Sequence, residues 1–362
     1  MAIAGPLAPI GGVRFHVAPA SPDSLRLLKV AYDYLERLPP QSVFAVCVGS
    51  STAWGIATPV SDLDIGVIVS EGSPPFAEKF KVAGDFIDHC QWPWSAIENL
   101  TRDPLTNPVL SWGIAFVLPL YDPEERLAAI QRQLVPAITQ GAGVRRWVKF
   151  FLDDASRLES HISKRLRADA RADVSFLLFE SVRRLADAVL HLVPGGHCGE
   201  WPDRLRRLAA ETRSRWLFDN ACAVIAPSGF DIRALSAAAE RLACLHLATA
   251  APPRGESVSC SPVSAAFWER KARYYAESED PLSLLRVISN HLDCVDENLK
   301  AKENAGSPSR QLAAFRGERR GIWSLIRRAW PSDAASNRFS LAELGEYSSH
   351  VAGVLEKQLA QA

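Results

Sequence analysis

From Pro22 to Leu38 apolar residues return every three or four positions, at Leu25, Leu27, Leu28, Val30, Ala31, Tyr34 and Leu35. Ser21 precedes them as an N-cap and Pro39-Pro40 stops them, so the spacing predicts a first helix. The next run, Val43 to Val48, is short, continuous and valine-rich, and it breaks at Gly49. A run of that length and composition fits a buried strand better than a helix. Leu63 to Val69 reads as a second strand. The stretch from Phe80 to Trp92 reads as a third, bent at Gly84-Asp85, and Val117 to Tyr121 as a short fourth before Asp122-Pro123. Beyond Val144 the period changes, and Trp147 to Leu166, Val174 to Leu192 and Leu285 to Leu299 carry long amphipathic helical patterns. Ala251 to Pro262, rich in Pro, Gly and Ser, is expected to be a long loop or a link between two helical subdomains.

Composition narrows what such a chain can do. At 362 residues it exceeds one compact domain, and 48% hydrophobic residues suffice for a real core. With 41 basic and 41 acidic residues the formal charge is zero, so a nucleic-acid partner is not expected. Arg204 to Arg207, Arg319-Arg320 and Arg327-Arg328 read as solvated helix faces. Seven scattered cysteines with no CxxC pair indicate neither a disulfide framework nor a zinc site. Met1 to Gly12 is apolar but has no cationic leader, and no run reaches membrane length, so a cytoplasmic location with no membrane partner is the expectation.

The chemistry concentrates between Gly49 and Ile65. A strand ending in Gly49-Ser50 and opening into a short helix would present backbone N–H groups and a hydroxyl to an anion such as a triphosphate. Asp62 and Asp64, two apart at the start of a strand, place both carboxylates on one face while Leu63 points to the other. Hard carboxylate oxygens suit Mg²⁺, and a pair of such ions suits an in-line phosphoryl displacement. A third carboxylate would complete the arrangement. Asp88, in Phe86-Ile87-Asp88-His89-Cys90, is best placed by pattern, while Asp85, after Gly84, reads as a turn residue. His89 would face the opposite side of its strand and pack. Trp92, Trp94 and Trp112 could offer a stacking surface, but core packing is the expectation for them.

The Gly-Ser, spacer, Asp-x-Asp arrangement resembles the signature of the DNA polymerase β-like nucleotidyltransferase superfamily. By size and by the helical half that follows, the likeness is to its small-molecule branch, which includes the aminoglycoside and lincosamide nucleotidyltransferases. It covers roughly residues 25 to 135. In that family's pattern Gly49 and Ser50 correspond to the nucleotide-binding pair, and Asp62, Asp64 and Asp88 to the metal-binding catalytic carboxylates. The resemblance implies an α+β protein, with a catalytic domain over residues 1–140 containing a small mixed β-sheet and flanking helices. An all-helical acceptor-binding domain over 141–362 follows, with a subdivision point near 251–262, and the site lies in the cleft between the two. It implies two Mg²⁺ ions, a nucleoside triphosphate donor with ATP among the candidates, and a small-molecule acceptor such as an antibiotic, a sugar or a natural-product intermediate. Relatives of this kind are monomers or homodimers. Some use a glutamate of the helical domain as general base, and Glu180, which interrupts the apolar face of Phe176 to Arg184, is the candidate for it here. Two departures stand out: Trp54 takes the place where members often carry a basic residue, and the loop is one residue longer than the common form.

Two other functions are weighed against this one. A non-catalytic nucleotide-binding or interaction module of the toxin-antitoxin type has no need to hold three mutually repelling carboxylates together. An enzyme nucleotidylating a protein or a tRNA end would, in the tRNA case, bind in a steeply salt-dependent way.

Overall fold

The computed structural model describes residues 8, 12–36, 43–72, 76–167, 174–190, 219–221, 224–225, 229–250, 261–329 and 334–361. The chain is α+β, with a five-stranded mixed sheet in its N-terminal part and helices thereafter. It divides into two compact units, one of Met1–Val144 with Arg254–Val258, the other of Arg145–Pro253 with Ser259–Ala362. The link expected over 251–262 lies outside the described residues up to position 260. Ser261 caps the helix Pro262–Glu277.

Helix α1 spans Pro22–Leu35, its N-terminus closed by the Ser21 hydroxyl, which accepts from the Ser24 N–H at 3.1 Å. Leu27, Leu28, Ala31 and Leu35 form its fully buried stripe. Strands β1 (Val43–Val48) and β2 (Leu63–Val69) pair antiparallel, and β5 (Leu118–Tyr121) joins the other side of β1. Between β1 and β2 lies a five-residue helix α2, Ser50–Trp54.

The stretch expected to be one bent strand is in fact two. β3 (Phe76–Val82) and β4 (Asp85–Pro93) form an antiparallel hairpin turning on Ala83 and Gly84, with φ of 49° and 97°. Two consecutive positive φ values are what a tight turn needs to match the twist of its strands. The sheet order is β3-β4-β2-β1-β5, so β4 inserts beside β2 and runs parallel to it while β3 takes the edge. Asp85 begins β4 and pairs with Arg26 of α1, so it is a strand residue facing the helix. His89 lies on that same face and packs against α1, where the Tyr34 hydroxyl sits 3.1 Å from its Nδ1.

Gly55 fixes the end of α2. Its φ is +77°, and an added Cβ would stand 2.7 Å from the Val17 carbonyl oxygen. Both the backbone conformation and the close approach demand glycine. Gly55→Ala is expected to lower the stability of this unit by about 2 kcal/mol or more, read by chemical denaturation.

From Arg145 on, the second unit holds the rest of helix Gly141–Arg167, then helices Val174–Leu190, Ile232–Thr249, Pro262–Glu277, Pro281–Asn304, Ser309–Ala329 and Ala334–Gln361. Asp231, Ser261 and Asp280 cap three of these through their side chains. Ile232–Thr249 packs against the three helices that follow it. At its contact with Pro281–Asn304, His246 and His291 are fully buried with their Nδ1 atoms 2.9 Å apart. No helix among the described residues is long and apolar enough to cross a membrane.

Candidate active site

Parallel pairing of β2 and β4 places Asp64 directly opposite Asp88. Asp62 precedes β2 by one residue and points to the same side, so one oxygen from each of the three carboxylates lies within 4.8 Å of the others. Adjacent strands put paired residues on one face, which is how side chains distant in sequence converge here. Asp62 and Asp88 keep 16% and 31% of their side-chain surface, enough to meet a ligand from solvent.

One residue that the sequence did not single out completes the cluster. Lys79 of β3 stands opposite Asp88, and its ammonium donates to Asp62 and lies 3.1 Å from Asp88 Oδ2. Only 8% of Lys79 is exposed, although it sits on the edge strand. Burial alone would push its proton affinity down. Asp62, then Asp88 and Asp64, hold it well above the ordinary lysine value. The alternation Ala77-Lys79-Lys81 and the Ala83-Gly84 turn were the available signal, because a two-residue hairpin turn there pairs 79 with 88.

Asp64 is the most perturbed carboxyl. Protein atoms crowding it and then the charges of Asp62 and Asp88 raise it to about 8, against the opposing pull of Lys79 and a hydrogen bond from Ser50. Its carboxyl therefore carries a proton at neutral pH until a stronger cation than Lys79 enters. Cys90, next along the same face, places Sγ 3.9 Å from Asp88 Oδ1. Burial, then Asp88 and Asp64, push its thiol up to about 12, leaving it protonated.

Gly49 and Ser50 border these carboxylates in a more committed way than a free anion nest. The Gly49 N–H donates to the Asp64 carbonyl at 2.9 Å, so it belongs to the sheet ladder. Ser50 holds φ of 46°, unusual for a residue with a side chain, and its hydroxyl donates to Asp64. Gly49 itself has no need of glycine from packing: a Cβ would be in ordinary contact, 3.6 Å from Asp64 Cβ and Val117 Cγ1. Trp54 is 7% exposed and stacks on His16 at 4.3 Å. It is a core residue.

No protein-family model matches the chain, and no curated protein sequence matches it. Among solved structures, a nucleotidyltransferase-like protein from Exiguobacterium sibiricum 255-15 is similar over 76% of this chain and 77% of that one. The TM-score is 0.31 and the identity 8%.

The donor set itself says what the site suits. Three oxygen ligands at this separation, with an ammonium already drawn between two of them, form a strongly cation-attracting cluster of hard donors. Asp62, Asp64 and Asp88 thus fit a divalent metal ion. Glu180 is in the second unit, where the Arg183 guanidinium donates to it at 2.6 and 2.8 Å and Arg286 stands 3.6 Å away. Trp112 is 8% exposed and stacks on Phe116 at 5.1 Å. Trp92 lies over Gly66, where an added Cβ would meet its ring at 2.9 Å. Trp94 meets Phe44 edge-on at 6.1 Å.

Proposed function

We propose that the protein is a Mg²⁺-dependent nucleotidyltransferase that moves a nucleoside monophosphate from a nucleoside triphosphate to a hydroxyl of a small molecule and releases pyrophosphate. The observation that carries this reading is the convergence of Asp62, Asp64 and Asp88 to within 4.8 Å beside the Gly49-Ser50 strand end. A fold gains nothing by crowding three carboxylates unless a cation is to be held there. When bound, divalent ions supply the charge that offsets the triphosphate and lower the proton affinity of the attacking oxygen.

The chain's own residues divide the rest. Asp62, Asp64 and Asp88 are the metal ligands, Asp64 and Asp88 fixed in register by the β2–β4 pairing and Asp62 just before β2. Ser50 is assigned to the triphosphate, with the hydroxyl it now gives to Asp64. Gly49, which packing does not require to be glycine, keeps the approach to the carboxylates free of a side chain. In the transfer, an acceptor oxygen attacks the α-phosphorus, the bond to the β-phosphate oxygen breaks, and pyrophosphate leaves with that electron pair. The acceptor proton passes to a general base as the new bond forms. A formal charge of zero supports a small acceptor over a polynucleotide.

The deciding experiment titrates each of the four ribonucleoside triphosphates into the protein by calorimetry with Mg²⁺, then repeats this with the Asp62→Asn/Asp64→Asn variant. Metal-dependent binding of a triphosphate by the wild type, lost in the variant, is the expected result and names the donor. If no triphosphate binds with or without metal, and ordered acceptor-first binding has been excluded, the enzyme reading fails and a non-catalytic module takes its place.

A further inference from the structure

The carboxylate cluster already contains a cation of the chain's own. Lys79 Nζ is shared between Asp62 and Asp88, two of the three groups that would have to bind a divalent ion. The contact is built rather than incidental. Lys79 is 8% exposed on an edge strand, where a lysine ordinarily reaches solvent, and its register opposite Asp88 is set by the hairpin. Burying an ammonium is costly unless it is paired, so its place in the fold depends on those carboxylates.

Resting on the metal-centre reading above, we infer that Lys79 is a resident counter-ion of the site, holding Asp62 and Asp88 in the metal-free protein and competing with the divalent cation for them. With all three carboxylates ionised, three negative charges less one positive leave two, which a single divalent ion balances. Any metal shared by Asp62 and Asp88 either takes the oxygens Lys79 uses or sits against its charge. Both weaken the binding of metal on its own. A highly negative triphosphate relieves this by offering Lys79 another partner, so metal alone is held loosely and metal with nucleotide tightly. Lys79 is in these terms a positioning residue, acting through the ligands it occupies.

The test measures binding of Mn²⁺ alone, with no nucleotide, by the electron paramagnetic resonance signal of the free ion. Wild type, Lys79→Met and Lys79→Arg are compared, with Asp64→Asn as the site control. Lys79→Met removes the charge at nearly constant length and is expected to tighten Mn²⁺ binding at least tenfold. Lys79→Arg keeps the charge and should stay within a few-fold of wild type. A purely structural lysine would give the reverse pattern, with Mn²⁺ affinity unchanged or weakened in the methionine variant, and that result overturns the inference. Should Lys79→Met fail to fold, Lys79→Gln lacks the charge as well and carries the same expectation. If wild type binds Mn²⁺ in a manner Asp64→Asn abolishes but neutral variants bind no tighter, the inference alone falls. If neither wild type nor the neutral variants bind Mn²⁺, the metal-centre reading falls with it.

Discussion

Asp64→Asn is expected to reduce nucleotidyl transfer at least a thousandfold while raising the melting temperature of the metal-free protein. The two effects share one cause. Asp64 lies at the centre of the cluster, with Asp88 opposite it and Asp62 two residues before it, and its proton affinity is raised because its charge is unwelcome without a metal. An amide keeps the shape and removes that charge, so the fold is relieved of repulsion while the cation loses a ligand. The loss is estimated at roughly 4 kcal/mol of transition-state stabilisation or more, the scale of removing one electrostatic contact to transferring phosphate. The stability gain follows the sign of the shift. A carboxyl raised to about 8 is protonated in the folded chain and ionised in the unfolded chain between about pH 4 and 8, so wild-type stability falls as pH rises through that window. Thermal melts in chelator should therefore show the variant gaining more at pH 8.5 than at pH 5. Full transfer activity in Asp64→Asn, with the melting curve unmoved, would remove Asp64 from the mechanism.

Acid should act on the helical unit in the opposite sense. His246 and His291 are fully buried and share one hydrogen bond between their Nδ1 atoms, so one ring must donate and the other accept. A proton added to the accepting nitrogen turns it into a second donor and breaks the bond. Burial, and then the neighbouring His246, push His291 down to about 3. The unfolded chain titrates near the ordinary histidine value of about 6.5, so stability present above that pH is lost as pH falls toward 3, by up to about 1.4 kcal/mol per unit. Helical circular dichroism followed in urea from pH 7 to pH 4 should show that decline. His291→Asn, whose side chain can still hydrogen-bond but does not titrate, should flatten it. An unchanged acid limb in that variant would mean that other groups govern acid unfolding.

How much of this was legible in the sequence depended on how local each signal is. β1 and β2 were readable to the residue, because Val43 to Val48 and Leu63 to Val69 are apolar runs bounded by Gly49 and by the Asp-x-Asp pair. Asp62 and Asp64 on one face followed from strand alternation alone. The β3–β4 hairpin was hidden because Phe80 to Trp92 alternates almost without interruption across a turn marked by a single glycine. With the hairpin went Lys79, whose partners Asp62 and Asp88 are set by pairing and not by spacing. Asp85 closes that turn as the sequence suggested, but its pairing with Arg26 of α1 is set by packing and not by spacing. Glu180 looked conspicuous on its own helix, but one of its arginines, Arg286, comes from a helix far along the chain, and no pattern within Val174–Leu190 could announce it.

The hairpin's tight turn also orders events in time. The strands that carry Lys79 and Asp88 are joined through Ala83 and Gly84 alone, and isolated hairpins close in about 1–10 μs. Asp62 and Asp64 reach Asp88 only through the longer connection that makes β2 and β4 parallel, a pairing that comes slowly because more chain must be closed. A folding chain can thus bring an ammonium to Asp88 before the other carboxylates dock. The step that would otherwise drive three like charges together is then taken with one of them already neutralised.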